Sequence, residues 1–125
     1  MQGFHKLLVW RRAHGLALKV DGVIVQLPRK ASASFKAQLS RAVDSIATNI
    51  VEGCGAATQR EFARFLDIAI KSASETEYHV LSARDRGLIQ EITHSELNDE
   101  VVQIRRMLYG LRKKVRLSPT ANDFN

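Results

Sequence analysis

The chain holds 125 residues and 14.0 kDa, with 19 Lys and Arg against 13 Asp and Glu and a net charge of +6. That length fits one domain able to bury a real core; 45% hydrophobic content excludes a disordered chain, and a single cysteine, Cys54, excludes an internal disulfide framework. Two prolines, 6% aromatics and abundant Leu, Ala, Ile, Val, Arg and Lys favour helix.

The first helix is expected from about Phe4 to Gln26, with Trp10, Ala13, Ala17, Val20 and Ile24 at three- and four-residue spacing. Pro28 ends it, because proline disfavours helical geometry in the residue before it. The second runs from near Ser34 to the Gly53-Cys54-Gly55 break, with Leu39, Ala42, Val43, Ile46 and Ile50 on one face. Thr58-Gln59-Arg60-Glu61 reads as a capping box opening the third helix. Its stripe of Phe62, Phe65, Leu66, Ala69, Ala73, Thr76, Val80 and Ala83 continues to Gly87, a natural residue past a helix end. Thr93-His94-Ser95-Glu96 reads as the box opening the fourth. There Leu97, Val101, Ile104, Leu108, Leu111 and Val115 form a heptad seam, the pattern of a helix packed nearly parallel to its neighbours.

Short connections make consecutive long helices antiparallel. The expected fold is therefore all-α, an up-and-down antiparallel four-helix bundle over residues 1–117, followed by a flexible C-terminal tail over 118–125. No stretch approaches the ~20 apolar residues of a membrane span. Leu7-Leu8-Val9-Trp10, cut off by Arg11-Arg12, is too short for the core of a signal peptide. A cytoplasmic protein is expected.

Charge is spread unevenly. Residues 1–57 carry 8 basic and 3 acidic side chains, residues 58–101 carry 5 and 9, and residues 102–125 carry 6 and 1. The two ends of the chain are each +5 and the middle is −4. Arg105, Arg112 and Arg116, with Arg106 and Lys113 beyond them, form a cationic strip beside the fourth helix's seam. Arg11, Arg12 and Lys19 add to it from the first helix. Part of the strip is explained by cations complementing a helix C-terminus. The remainder is the type of surface that binds phosphates with little base specificity. Few aromatics are available to stack bases: Tyr78 and Tyr109 are candidates, and Trp10 is expected to be packed. Structured RNA read by shape therefore fits better than single strands.

The second helix also carries a polar line that its core stripe does not explain. Gln38, Arg41, Ser45, Asn49 and Glu52 fall within about 80° of arc. Ser72, Glu75 and Thr76 recur at similar spacing on the third helix. Two readings fit: a solvated face, or a buried or subunit-bridging network in which Arg41 meets Glu75, or Glu52 of another copy. A catalytic role lacks a nucleophile, a base and an orienting group. Cys54 reads as a small residue in an interhelical turn. Metal ligation is not expected, since a bundle di-iron site needs Glu-x-x-His on two helices and only Glu91-Ile92-Thr93-His94 matches. No cofactor is expected.

The run from Gln38-Leu39-Ser40-Arg41-Ala42 through Ser45-Ile46 and Asn49-Ile50 to Glu52-Gly53 resembles the signature of the four-helix-bundle proteins encoded in intervening sequences of bacterial 23S rRNA genes. Trp10, Glu61-Phe62-Ala63-Arg64-Phe65-Leu66, Ser72-Ala73-Ser74-Glu75-Thr76-Glu77, Gly87-Leu88-Ile89 and Met107-Leu108-Tyr109-Gly110-Leu111 extend the match from Phe4 to Lys114. Lys71 and Thr76 depart from it, standing where relatives commonly have a small residue and leucine. The resemblance implies a bundle assembled as a ring-like homopentamer, without established enzymatic activity. It is distantly similar to the accessory protein of diversity-generating retroelements, a basic pentameric barrel that binds nucleic acid and a reverse transcriptase. The family positions are Arg41, Ser45, Asn49, Glu52, Ser72 and Glu75, all on the polar line. The leading expectation is a non-enzymatic oligomer presenting basic surfaces to structured RNA or a ribonucleoprotein; the rival is a scaffold whose ring docks an acidic protein.

Overall fold

A computed structural model describes residues 3–117, apart from the side chain of Leu117. The expected tail over 118–125 lies outside the described residues. The chain forms α1 (Leu8–Gln26), α2 (Ala33–Cys54), α3 (Gln59–Asp85) and α4 (Glu91–Leu117), preceded by a single 3₁₀ turn at Phe4–Lys6. The expected first helix is thus broken at Leu7, whose extended backbone separates the 3₁₀ turn from α1.

The helix boundaries have local causes. Ser32 caps α2 by accepting from the Phe35 N–H at 3.0 Å. Thr58 caps α3 by accepting from the Glu61 N–H at 3.1 Å. Gly87, at φ 72°, ends α3 in a Schellman turn. In that turn the Leu88 N–H reaches the Ala83 carbonyl at 2.8 Å, and the Gly87 N–H reaches that of Arg84 at 2.9 Å. The start of α4 differs from expectation. It begins at Glu91, so Thr93-His94-Ser95-Glu96 lies inside its first turns. The His94 N–H already reaches the Gln90 carbonyl at 3.0 Å, which makes Thr93 helical rather than a cap.

Each helix packs on its neighbours in sequence, and α1 closes the bundle against α4. Cross-helix pairs fix the directions. On α3 and α4, Glu77 meets Arg105 and Asp67 meets Arg112, so one numbering rises as the other falls. On α2 and α3 the same holds for Phe35 with His79, Ser45 with Ser72, and Gly53 with Phe62. On α1 and α4, Arg12 meets Glu100, while Gly22 to Leu27 face Leu88 to Thr93. All four runs are antiparallel, as an up-and-down bundle requires.

The core is built from the stripes. Val9, Ala13, Leu16, Ala17 and Val20 of α1 meet Leu39, Val43, Ile46 and Ile50 of α2. Leu66, Ala69, Ala73 and Val80 of α3 and Val101, Ile104, Leu108 and Val115 of α4 complete it. Of the heptad positions, only Leu111 is half-exposed. Trp10 is packed as expected, stacked on His14 at 5.1 Å and edge-on to Phe4 at 4.7 Å.

Candidate functional site

Two polar features stand on this scaffold. The first is the seam between α2 and α3. The Ser72 hydroxyl donates to the Ser45 hydroxyl at 2.7 Å, and Asn49 Nδ2 donates to the same Ser45 oxygen at 2.9 Å and to the Ser45 carbonyl at 2.8 Å. Thr76, fully buried, donates its hydroxyl to the Ser72 carbonyl at 2.8 Å. That bond meets the cost of placing a hydroxyl in the core. Among the described residues no buried side-chain polar atom lacks a partner.

Around this small hydroxyl–amide cluster the line is open. Gln38, Arg41, Ser45 and Glu75 line a shallow groove with Asp44 and Thr48. Gln38 bonds Ser34 at 3.1 Å, and Glu75 lies 3.7 Å from His79. Arg41 and Glu75 share the groove without pairing, and Arg41 and Glu52 are exposed with no ion pair among the described residues. The α2 line is thus half network and half surface. Asp44 has its carboxyl held above the ordinary value by partial burial and by the Asp21 carboxylate of α1.

The second feature is one end of the bundle. Antiparallel packing brings together the start of α1, the end of α2, the start of α3 and the end of α4. The segments 4–12, 50–67 and 105–116, with Glu77 and Glu100 that bond Arg105 and Arg12, carry eleven Lys and Arg against five Asp and Glu. The rest of the described chain carries eight against seven. All six cations of residues 102–125 fall in this part of the molecule, with Lys6, Arg11 and Arg12 of residues 1–57 and Arg60 and Arg64 of α3.

The sequence-predicted cations divide there. Arg12 chelates Glu100, with Nε to Oε2 at 3.1 Å, and touches Met107 Sδ at 3.8 Å. Arg105 donates to Glu77 at 2.5 Å and Ser74 at 3.3 Å. Arg112 forms a two-pronged pair with Asp67, Nη2 to Oδ2 at 3.0 Å. These three guanidiniums tie helices together. Arg11 bonds the His5 carbonyl at 3.0 Å. Arg106, Lys113 and Arg116 are exposed, while Lys19 is exposed on the second half of α1, away from the basic end.

Two cations of this end went unnoticed in the sequence. Arg60 and Arg64 are exposed on the first two turns of α3 and line a groove of about 730 Å³ with Arg112 and Arg116. The signal for Arg60 was present: a cation in the first turn of a helix opposes the macrodipole, so its place there calls for a reason other than stability.

Cys54 is buried, and burial pushes its thiol up, away from the reactive thiolate. Among the described residues no three His, Cys, Asp or Glu side chains gather as a metal site needs, and no helix is long and apolar enough to cross a membrane.

The fold defines an all-α, up-and-down four-helix bundle. The family model described as "23S rRNA-intervening sequence protein" matches residues 5–110, and the chain belongs to that family. A solved structure from Bacteroides thetaiotaomicron VPI-5482, described as a protein of unknown function from the S23 ribosomal protein family, is similar at 25% identity and a TM-score of 0.80. The match covers 85% of this chain and 99% of that one. Comparison with curated proteins returns no match.

Proposed function

We propose that the protein is a non-enzymatic, cytoplasmic homo-oligomer that binds structured RNA or a ribonucleoprotein through the basic end of its bundle. The observation that carries this is the gathering of eleven cations against five anions toward one end, with near neutrality elsewhere. A surface of that kind attracts a polyanion by counterion release. The burial of the single thiol supports a role without covalent chemistry.

Self-assembly, with the five-membered ring that the resemblance implies, is supported by two surface features. Arg41 and Glu52 are exposed and unpaired among the described residues. The outer side of α1 leaves Leu8, Leu18 and Val25 more than half exposed, with Gly15 and Gly22 between them. Repeating one basic end around a ring multiplies a modest charge into a band.

The test is a fluorescence titration against a structured RNA at several salt concentrations, paired with pull-down before and after nuclease treatment. Salt-dependent binding and loss of partners on nuclease treatment are expected. No binding at low salt, or partners that persist without RNA, would favour an acidic protein partner instead.

A further inference from the structure

Binding through the basic end leaves open where a phosphate would sit, and one place differs from the rest of that surface. The groove between the start of α3 and the end of α4 is lined by Arg60, Arg64, Arg112 and Arg116, with Glu61 and Asp67 as its only acids. All four cations are arginines, whose planar fork matches phosphate in two-pronged fashion, whereas lysine acts as a point charge. Asp67 is already engaged by Arg112, which fixes that guanidinium at the groove wall.

The placement is ordered. Arg60 and Arg64 are four apart on α3, as are Arg112 and Arg116 on α4, so each pair is separated by about 6 Å along its helix. The two antiparallel rows thus flank the groove at the scale of one phosphate step along a strand. The positive end of the α3 dipole opens on the same groove, which is also lined by its cap Thr58. Arg64 lies over the Phe65 ring at 4.5 Å, which restrains it without neutralising it.

Stability does not call for this arrangement. The α4 arginines suit a helix C-terminus, but Arg60 sits in the first turn of α3, where the dipole disfavours it. Resting on the RNA-binding reading above, we infer that this groove seats consecutive phosphodiesters of an RNA duplex, with Arg60, Arg64 and Arg116 contacting phosphate and Arg112 positioned by Asp67. Exposed aromatics are absent from the lining, so recognition is of backbone and shape rather than stacked bases.

The test compares three proteins by fluorescence anisotropy on a 20-base-pair RNA duplex of arbitrary sequence: the native chain, Arg60→Gln/Arg64→Gln, and Arg29→Gln/Lys30→Gln. The last removes the same charge from exposed residues outside the basic end. Thermal melts confirm that all three fold alike. The groove variant is expected to bind roughly tenfold more weakly near 0.1 M salt, with a log–log salt slope shallower by about two, and the control to change less than about twofold. A groove variant that keeps native affinity and slope while the native chain binds overturns this inference and leaves RNA binding standing. A native chain that does not bind overturns the underlying reading, and with it the groove. Tighter binding of a fluorescent poly-glutamate peptide than of the duplex assigns the groove to an acidic protein and overturns it as well.

Discussion

A hydrogen atom decides much of the packing at Gly53. A Cβ built there would come within 2.8 Å of the Phe62 ring and 3.3 Å of the Phe65 Cβ, because α3 lies directly against the end of α2. Gly15 and Gly22 of α1 have nothing within 4 Å. Alanine in a helix interior gains about 1 kcal/mol over glycine, while overpacking a filled core costs about 1–3 kcal/mol. Gly53→Ala is therefore expected to lower the melting temperature by a few degrees and Gly15→Ala to raise it. Equal shifts of one sign in a thermal melt would contradict the close approach.

Asp44 offers a pH test at the same scale. Its carboxyl is raised by partial burial and then by Asp21, so the fold favours the neutral form. The stability from this preference is present below the ordinary aspartate value and is lost as pH rises through the raised one. At neutral pH the ionised carboxylate is a burden, and Asp44→Asn is expected to raise the melting temperature. The gain should vanish on acidification through the aspartate range, where both side chains are uncharged. A gain independent of pH would point away from ionisation.

Helix number, order and core faces were legible because a 3.6-residue stripe reports directly on which side is buried. Leu39, Ile46, Val80 and Ile104 all fell inside as their spacing required. The start of α4 was misplaced because Thr93 and Glu96 carry the side chains of a capping box while Gln90 and Glu91 carry no such signal, and only the backbone bond from His94 to Gln90 decides between them. On the polar line, spacing grouped Ser45 and Asn49 on α2 and Ser72 on α3 but left open whether they meet, and the structure joins them across the α2–α3 seam. It did not reveal that Arg41 and Glu75 share a groove unpaired, since side-chain reach is not a periodic property. The ties Arg12–Glu100, Arg105–Glu77 and Arg112–Asp67 were equally hidden, because each joins residues far apart in the chain.

These ties sharpen the contrast between elements. Arg112 has a partner on α3, whereas Arg41 and Glu52 of α2 have none among the described residues. If the α2 line joins subunits, Arg41→Ala or Glu52→Ala should lower the assembled mass by light scattering, and Arg112→Ala should change it less. Unchanged mass in the α2 variants, or a larger loss from Arg112→Ala, would place the subunit contact elsewhere.

At the scale of the whole molecule, the linear charge pattern acquires its meaning only on folding. The sequence is basic at both chain ends and acidic between them, a pattern compatible with two separate surfaces. Antiparallel packing sets Lys6, Arg11 and Arg12 beside the six cations of the second half of α4 and adds Arg60 and Arg64 from the acidic middle, leaving one cationic pole and a nearly neutral remainder. A polyanion meeting this pole displaces counterions in proportion to the phosphates it presents. The most direct measurement is the salt dependence of the native chain's affinity for a structured RNA between about 0.05 and 0.2 M monovalent salt. With the three phosphates that Arg60, Arg64 and Arg116 would contact, a log–log slope of about −3 or steeper is expected; a slope near zero, or no binding at the lowest salt, would contradict recognition by the basic pole.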